Sequence, residues 1–330
     1  YGQAFSHLSQ TRPSLTALLN GKAAPAASTI LDTRDGRRDL KSNAWFDSLG
    51  KAGFRIRVYQ TNWLNYCGSG LPYIESCTTF DASTIQSLRR LDLHPWTKAK
   101  VILNSLLEAS SLDPILRRLT QVPEVRLTGF NALRMFEALR DDLATATPGT
   151  VYFAHFMLPH YSYVLDETCR PIPDPAAWYN RYDPVSFAPG ILNSDGSRAR
   201  RYGAYFKQLR CAAQLLGDLL TAFSKSGSYD DATIIVHSDH GSRIGHTPAQ
   251  ARYKDKLTDR DLLDHYAALF AYRTPGQAGQ YMSDRRSIQA LFAEKFLKMP
   301  LSDEPNDVRL RGGDFEPGAT RWIAYPPGNG

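Results

Sequence analysis

The stretch TIIVHSDHGSRIGH, Thr233–His246, places a carboxylate and an imidazole side by side where an apolar strand ends. Its first half is typical of a buried strand, and Asp239, His240 and Gly241 follow shortly after. An Asp-His pair on its own is more often a surface turn. Carboxylate with imidazole also suits zinc or manganese. The strand before the pair and the glycine after it favour the metal, so the stretch predicts Asp239 and His240 as metal ligands.

The rest of the chain alternates between predicted strands and helices. We predict strands at Phe54–Tyr59, Thr150–Phe156, Thr233–His237 and His265–Tyr272, and helices at Ser14–Leu19, Ile102–Leu119 and Tyr205–Phe223. This alternation predicts an α/β fold with a mainly parallel central sheet and helices on both faces. Ligands of such sheets bind at the carboxyl ends of the strands, which is where Asp239 and His240 stand.

Composition narrows the class of protein. The chain has 330 residues, 42% of them hydrophobic, enough for one large α/β domain or two smaller ones. The formal net charge is +6, and the basic clusters Arg34–Arg38 and Arg198–Arg201 lack interleaved aromatic residues. We interpret both clusters as solvated surface and expect no nucleic-acid partner, whereas an anionic lipid head group stays compatible.

The cysteines indicate the redox compartment. Cys67 and Cys77 bracket the Gly/Pro/Ser-rich loop CGSGLPYIESC, and we expect them to form a disulfide. Such a bond would indicate an oxidising, extracytoplasmic compartment. Cys169 and Cys211 could also pair, but nothing local requires it, and Cys211 lies in an apolar helical pattern that would bury it.

Four segments together resemble a known family. The strand TIIVHSDHG resembles the metal-binding signature of the sulfatase-like branch of the alkaline phosphatase superfamily. The histidine-bearing strand of that branch resembles Val151–Val164, and its nucleophile turn resembles Ser9–Gly21. The strand after its metal motif resembles Leu262–Gly276. The order agrees with that branch. The resemblance implies a single sulfatase-like catalytic domain over residues 1–330, with that branch's α/β/α sandwich.

The resemblance also implies roles for individual residues. Thr11 would be the nucleophile and a metal ligand, at the start of a helix whose N–H groups favour an anionic ester. The alternative is that Thr11 only caps the helix. His160 would contact a phosphate oxygen or protonate the leaving group. His155 and His246 are secondary substrate-binding candidates; the alternatives are a packed core histidine and an exposed loop histidine.

The nucleophile segment distinguishes among activities of this branch. Sulfatases carry the motif Cys/Ser-x-Pro/Ala-x-Arg, in which the first residue is converted to formylglycine. Here Leu8 stands four residues before Arg12, and Gln10 replaces the proline. The resemblance therefore implies a phosphoethanolamine- or phosphoglycerol-transferase-like enzyme that passes its group through a covalent phosphothreonine. The alternatives are a non-catalytic sulfatase-fold protein that binds a lipid or glycan and, less favoured, a sulfuric ester hydrolase.

One departure from the family concerns the metal site. The family takes a further carboxylate from a strand before the nucleophile, yet Tyr1–Gln10 contains no acid, and Asp32 and Asp35 follow Thr11. We expect that the numbered chain lacks this first strand and an upstream membrane anchor; otherwise the site is degraded.

The expected cofactor, substrate and location follow from the same resemblance. The cofactor is a divalent metal, with zinc preferred over manganese or calcium. The substrate is an anionic phospholipid or a glycan-linked phosphate ester. The location is the periplasmic or cell-surface side of a membrane.

Overall fold

The secondary structure comes from a computed structural model, which describes residues 1–25, 30–32, 38–80, 94–96, 98–99, 102, 128–173, 195–299, 301, 307–309 and 322–324. The strands are β1 Gln3–Phe5, β2 Ile30–Asp32, β3 Arg38–Leu40, β4 Arg55–Gln60, β5 Ile74–Thr79, β6 Thr150–Ala154, β7 Ile234–His237, β8 Phe270–Arg273, β9 Arg285–Ser287, β10 Asp307–Arg309 and β11 Trp322–Ala324. The α-helices are α1 Thr11–Leu19, α2 Ala44–Lys51, α3 Thr128–Ala144, α4 Asp195–Ser224, α5 Asp259–Tyr266 and α6 Ile288–Phe292. Among these described helices, none has the length and apolar character that a membrane span requires. The helix predicted at Ile102–Leu119 lies, except for Ile102, outside the described residues.

Parallel strands flanked by helices confirm the predicted fold class. Strands β5, β4 and β6 form a parallel sheet in that order, with Val58 of β4 opposite Phe153 of β6. The ladder continues past β6, because the His155 N–H donates to the Tyr59 carbonyl at 3.0 Å. Side chains alternate along β4. Its residues Ile56 and Val58 pack with α1 and α2, and Tyr59 packs on the other face with α3 and α4.

A second group of strands, made of β1, β7, β8 and β9, fixes the relative directions of β1 and β7. Strand β1 pairs in parallel with β9, and on its other side the Ala268 N–H donates to the Ala4 carbonyl at 3.0 Å in an antiparallel arrangement. The chain from Ala268 continues into β8, which is antiparallel to β7. Strands β1 and β7 therefore run in the same direction, and their carboxyl ends face the same edge.

The prediction of one strand over His265–Tyr272 is wrong in its first part. His265 and Tyr266 end helix α5, and the strand begins only at Phe270. The helix starts at a capping box, in which the Thr258 and Asp261 side chains each bond the other's backbone N–H. This capping signal is present in the sequence and predicts the helix rather than a strand.

Two other helices begin earlier than predicted. Helix α1 starts at Thr11 and helix α4 at Asp195, rather than at Ser14 and Tyr205.

Two disulfides tie loops to the framework. Cys67 and Cys77 are bonded, as predicted, and link the turn after β4 to β5. Cys169 and Cys211 are also bonded, which joins the loop after β6 to the buried side of α4. These bonds indicate an oxidising compartment.

We predict that each disulfide contributes measurably to stability. The replacement of Cys67 and Cys77 by serine should lower the free energy of unfolding by about 3 kcal/mol. The replacement of Cys169 and Cys211 should lower it by about 4 kcal/mol, because this disulfide closes a longer loop. Urea denaturation of the two double variants checks the order, and non-reducing mass spectrometry checks the pairing. Free thiols in oxidised wild-type protein would contradict the assignment.

Candidate active site

Thr11 is the first residue of helix α1 and lies against the SDHG motif. Its side chain is buried, and its Oγ1 lies 3.2 Å from His240 Nε2. The helix N-cap is Gln10, whose side chain makes no capping bond. The Thr11 hydroxyl is thus not the helix cap. It faces His240 at the positive end of the helix dipole.

Asp239 and His240 follow β7 and contact each other. Asp239 Oδ2 lies 3.3 Å from His240 Nε2. On the far side of the ring, His240 Nδ1 lies 2.7 Å from the Gly241 carbonyl, which can only accept, so Nδ1 carries the proton. Burial lowers the pKa of His240, which favours the neutral ring. Its Nε2 lone pair therefore points to Thr11 and Asp239, the orientation of a metal-binding histidine.

The carboxylate of Asp239 is ionised in this environment. Burial acts to raise its pKa, but the neighbouring histidines, the Thr11 hydroxyl and Arg243 together hold the pKa at about 2. Its Oδ2 atom is buried and accepts no hydrogen bond. A buried anionic oxygen without a donor is costly unless a cation compensates it.

These side chains fit one part of a metal site. A carboxylate, a neutral imidazole and a hydroxyl converge, and the buried Oδ2 of Asp239 lacks a donor. Such oxygen and nitrogen donors suit zinc or manganese. In the described part of the chain, no three His, Cys, Asp or Glu side chains form a group that could hold a metal ion. Asp239 and His240 would supply two such ligands and Thr11 a third donor, and this assignment stays a prediction.

A buried polar network fixes Thr11 relative to Asp239. The Ser14 hydroxyl, one turn after Thr11, lies 2.6 Å from the Asp239 carbonyl oxygen and donates to it. Gln289 of helix α6 donates to both Ser6 and Ser14, at 3.2 and 3.1 Å. The network therefore links β1, α1, α6 and the SDHG motif.

His155 joins the site from the end of β6. Its ring, when protonated, lowers the pKa of Asp239, and its Nδ1 lies 2.9 Å from the hydroxyl of the buried Tyr66. Burial lowers the pKa of His155 to about 4, so the ring is neutral at neutral pH. Tyr66 carries no signal in the sequence, because its role depends on the neighbouring strand.

The other two predicted histidines have different surroundings. His160 stacks on Tyr161 with ring centroids 4.5 Å apart, and its carbonyl accepts a 2.8 Å hydrogen bond from Gln208. His246 Nε2 lies 3.1 Å from the exposed Asp195 at the start of α4. The roles given to His160 and His246 stay predictions.

Arg243 and Asp264 are site residues that the sequence analysis missed. The positive charge of Arg243 acts on both Asp239 and His240. The Asp264 carboxylate accepts hydrogen bonds from Ser242 and from the Gly245 N–H, and so holds the loop after the motif. The Arg243 N–H donates to the Asp264 carbonyl at 3.2 Å. Sequence offers no cue for this pairing, because the two segments meet only in the fold.

Similarity to known proteins identifies the family of the chain. The model of the sulfatase family matches residues 1–281. The chain belongs to the sulfatase family. This family lies in the alkaline phosphatase superfamily, as the sequence resemblance implies. No curated protein matches this chain in sequence.

Solved structures share the fold of this sulfatase-family protein. A 2-O GAG sulfatase matches with a TM-score of 0.54 and 12% identity, over 95% of this chain and 70% of that one. The phosphonate monoester hydrolase of Agrobacterium radiobacter matches with a TM-score of 0.55 and 14% identity, over 93% and 72%. The phosphonate monoester hydrolase of Silicibacter pomeroyi matches with a TM-score of 0.51 and 14% identity, over 94% and 68%.

We predict that Gly241 cannot be replaced without displacing the motif. A Cβ atom at this position would lie 2.1 Å from the Asp264 carbonyl oxygen, a backbone atom that cannot move by itself. Gly241→Ala should therefore lower the free energy of unfolding by about 1–3 kcal/mol through overpacking. Gly217→Ala is the matched control, because its Cβ meets nothing within 4 Å and alanine favours the helix. Equal stability of the two variants in thermal denaturation would contradict the close contact.

Proposed function

We propose that this protein is a metal-dependent enzyme that transfers or hydrolyses a phosphate ester through a covalent phosphothreonine on Thr11. The observation that carries the proposal is the contact between Thr11 Oγ1 and His240 Nε2, at 3.2 Å, beside the ionised Asp239. A hydroxyl at a helix N-terminus, next to two metal-type ligands, is the arrangement that an activated oxygen nucleophile needs.

The nucleophile segment favours phosphorus over sulfur as the reacting centre. Leu8 stands where a sulfatase of the formylglycine type needs Cys or Ser, and it is a buried aliphatic side chain. Two of the solved structures with the same fold are phosphonate monoester hydrolases, which act at phosphorus. The 2-O GAG sulfatase shares the fold to the same degree, so the fold alone does not decide. The nucleophile segment therefore carries the distinction.

The proposed first step is a displacement at phosphorus. Thr11, having lost its hydroxyl proton to solvent, forms the new O–P bond while the bond from phosphorus to the leaving oxygen breaks. His160 protonates the departing oxygen as general acid. Zinc, or else manganese or calcium, held by Asp239, His240 and Thr11 would lower the pKa of the hydroxyl and stabilise charge on the phosphoryl oxygens.

The second step returns Thr11 to its starting form. Water, or the hydroxyl of an acceptor, attacks the phosphothreonine and displaces Thr11 Oγ1, which regains a proton. Water as the attacking group makes the enzyme a hydrolase, and an acceptor alcohol makes it a phosphoethanolamine- or phosphoglycerol-type transferase. His155 and His246 contact the phosphoryl oxygens or the rest of the substrate in this proposal.

The proposed setting is the outer side of a membrane. Both disulfides fit an oxidising compartment. The proposed substrates are anionic phospholipids or glycan-linked phosphate esters, and a segment outside this chain would supply any membrane association.

We predict that Asp239 and His240 hold the metal. Asp239→Asn combined with His240→Ala should abolish bound zinc or manganese, because it removes both a carboxylate and an imidazole from one site. Elemental analysis of the dialysed proteins measures the metal content. His94→Ala is the control, since His94 is exposed. Unchanged metal content in the double variant would disprove the assignment.

We predict that Thr11 carries the covalent intermediate. With bis(4-nitrophenyl) phosphate and zinc, Thr11→Ala should lose both the phosphorylated adduct and turnover, whereas Thr11→Ser should keep part of both. His160→Ala should slow turnover about 10²–10⁴-fold through the loss of a general acid. Intact-mass analysis of quenched reactions detects the adduct.

The neighbouring hydroxyl of Ser9 provides the control for this experiment. Ser9 is buried two residues before Thr11, and Ser9→Ala should still form the adduct. Full turnover in Thr11→Ala would mean that a water attacks phosphorus directly. An adduct that survives in Thr11→Ala but disappears in Ser9→Ala would move the nucleophile to Ser9.

A further inference from the structure

Three arginines on two segments of the chain act on the same residues near the candidate active site. Arg198 and Arg201 lie three residues apart in the first turns of α4, so they share one side of that helix. Arg243 lies in the loop after the SDHG motif. The interpretation of Arg198–Arg201 as solvated surface is wrong for Arg201, which is only 6% exposed.

Asp264 and the tyrosines of α4 hold these two segments together. The Asp264 carboxylate accepts a hydrogen bond from the Tyr202 hydroxyl, in addition to those from the loop after the motif. Ile244 of that loop packs with Tyr163 and Ala204 in one buried cluster. The first turns of α4 are therefore fixed against the loop that carries Arg243.

The charges of the three arginines overlap in this region. Arg198 and Arg201 both act on Asp264, and Arg201 and Arg243 both act on Tyr163. The Arg198 guanidinium lies 4.8 Å from the centroid of the Tyr202 ring, a stacking arrangement that orients its planar group. The Asp264 carboxylate offsets part of this positive charge, and a bound anion would lower the repulsion that remains among the three arginines.

Arg243 has an unusual backbone conformation. Its φ of 58° lies in the left-handed region, which a non-glycine residue adopts only at a cost in free energy. Such strain persists where the surrounding contacts enforce it, and it is found most often at functional sites. The charge of Arg243 acts on Asp239 in the candidate active site and also on Tyr163, which packs with Ala204 of α4.

We propose that Arg198, Arg201 and Arg243 form a subsite that binds a second anionic group of the ester substrate, next to the group that reacts at Thr11. Guanidinium groups bind the paired oxygens of carboxylates, phosphates and sulfates through two parallel hydrogen bonds. The substrate class is therefore a phosphate ester that carries another such oxyanion. This inference rests on the proposed function for the position of the reacting ester, but its test does not require turnover.

The test measures the binding of phosphinates, whose phosphorus–carbon bonds the enzyme cannot break. Methyl(alkyl)phosphinates are compared with methyl(carboxyalkyl)phosphinates of equal chain length, over a series of lengths, by isothermal titration calorimetry on the metal-loaded full chain. At the best length, the carboxylate should improve the affinity about tenfold or more, as expected for a charged hydrogen-bonded pair.

Variants identify the residues that give this advantage. Arg243→Gln should remove most of it, and Arg243→Lys should restore part, because lysine keeps the charge but not the paired hydrogen bonds. Arg198→Gln should reduce the advantage as well; both side chains are partly exposed, so these variants do not depend on a buried substitution. Arg200→Gln is the matched control, since Arg200 lies on the same helix with an exposed side chain, and it should keep the full advantage.

The outcomes separate the subsite from the proposed function. Three outcomes would overturn the subsite. The two ligands of each pair could bind the wild-type protein with equal affinity, or no carboxylate ligand could bind measurably. The carboxylate advantage could also survive in both Arg243→Gln and Arg198→Gln. A carboxylate advantage that depends on Arg243, in a protein that turns over no phosphodiester, would support the subsite and reject the proposed function. Turnover of a phosphodiester without any carboxylate advantage would support the proposed function and reject the subsite.

Discussion

The candidate active site depends on the hydrogen bond from the Ser14 hydroxyl to the Asp239 carbonyl oxygen, at 2.6 Å. It joins the helix that begins at Thr11 to the motif that contains His240, although the two segments are far apart in the chain. Gln289 bonds Ser14 from a third segment, so the position of Thr11 is determined by three parts of the sequence at once. A hydrogen bond between buried groups fixes their relative position, because a buried donor or acceptor left unpaired lowers the stability of the fold by about 1–3 kcal/mol.

The directions of the strands explain why these segments meet. Strands β1 and β7 run the same way, so the residues after each strand emerge at one edge. His155 reaches the same group of side chains from β6, where Tyr66 holds its ring. Strand ends are where backbone is free to turn, and ligand sites of α/β sheets are found there for this reason. The chemistry of the proposed site is therefore a product of topology as much as of residue type.

The sequence was sufficient for the local features and for the fold class. The motif around Asp239 stands out because an apolar strand ends abruptly in ionisable residues, and the disulfide of Cys67 with Cys77 closes a short loop. The strand predicted at His265–Tyr272 was wrong in its first half because an apolar pattern was given more weight than a helix cap.

The missed residues of the site have a common physical cause. Tyr66, Arg243 and Asp264 gave no signal, because each acts on a partner that the fold brings in from another element. The burial of Arg201 was missed for the same reason: a run of arginines in a sequence does not reveal which helix face meets the protein. Local pattern predicts local structure, whereas a converging set of side chains requires the tertiary arrangement.

The pairing of β1 with β9 has a consequence for how the chain folds. Phe5 lies opposite Ser287, so the first strand finds its parallel partner only after most of the chain has been made. At about 5–20 residues per second, synthesis of the intervening chain takes roughly 15–60 s, and long-range pairings of this kind form slowly. During that interval helix α1 can pack on Phe46 and Ile56, but Ile288, Leu291 and Phe292, which complete the same core, are still missing. The core around helix α1 is therefore completed late, and Thr11 meets His240 only after residue 240 has been made.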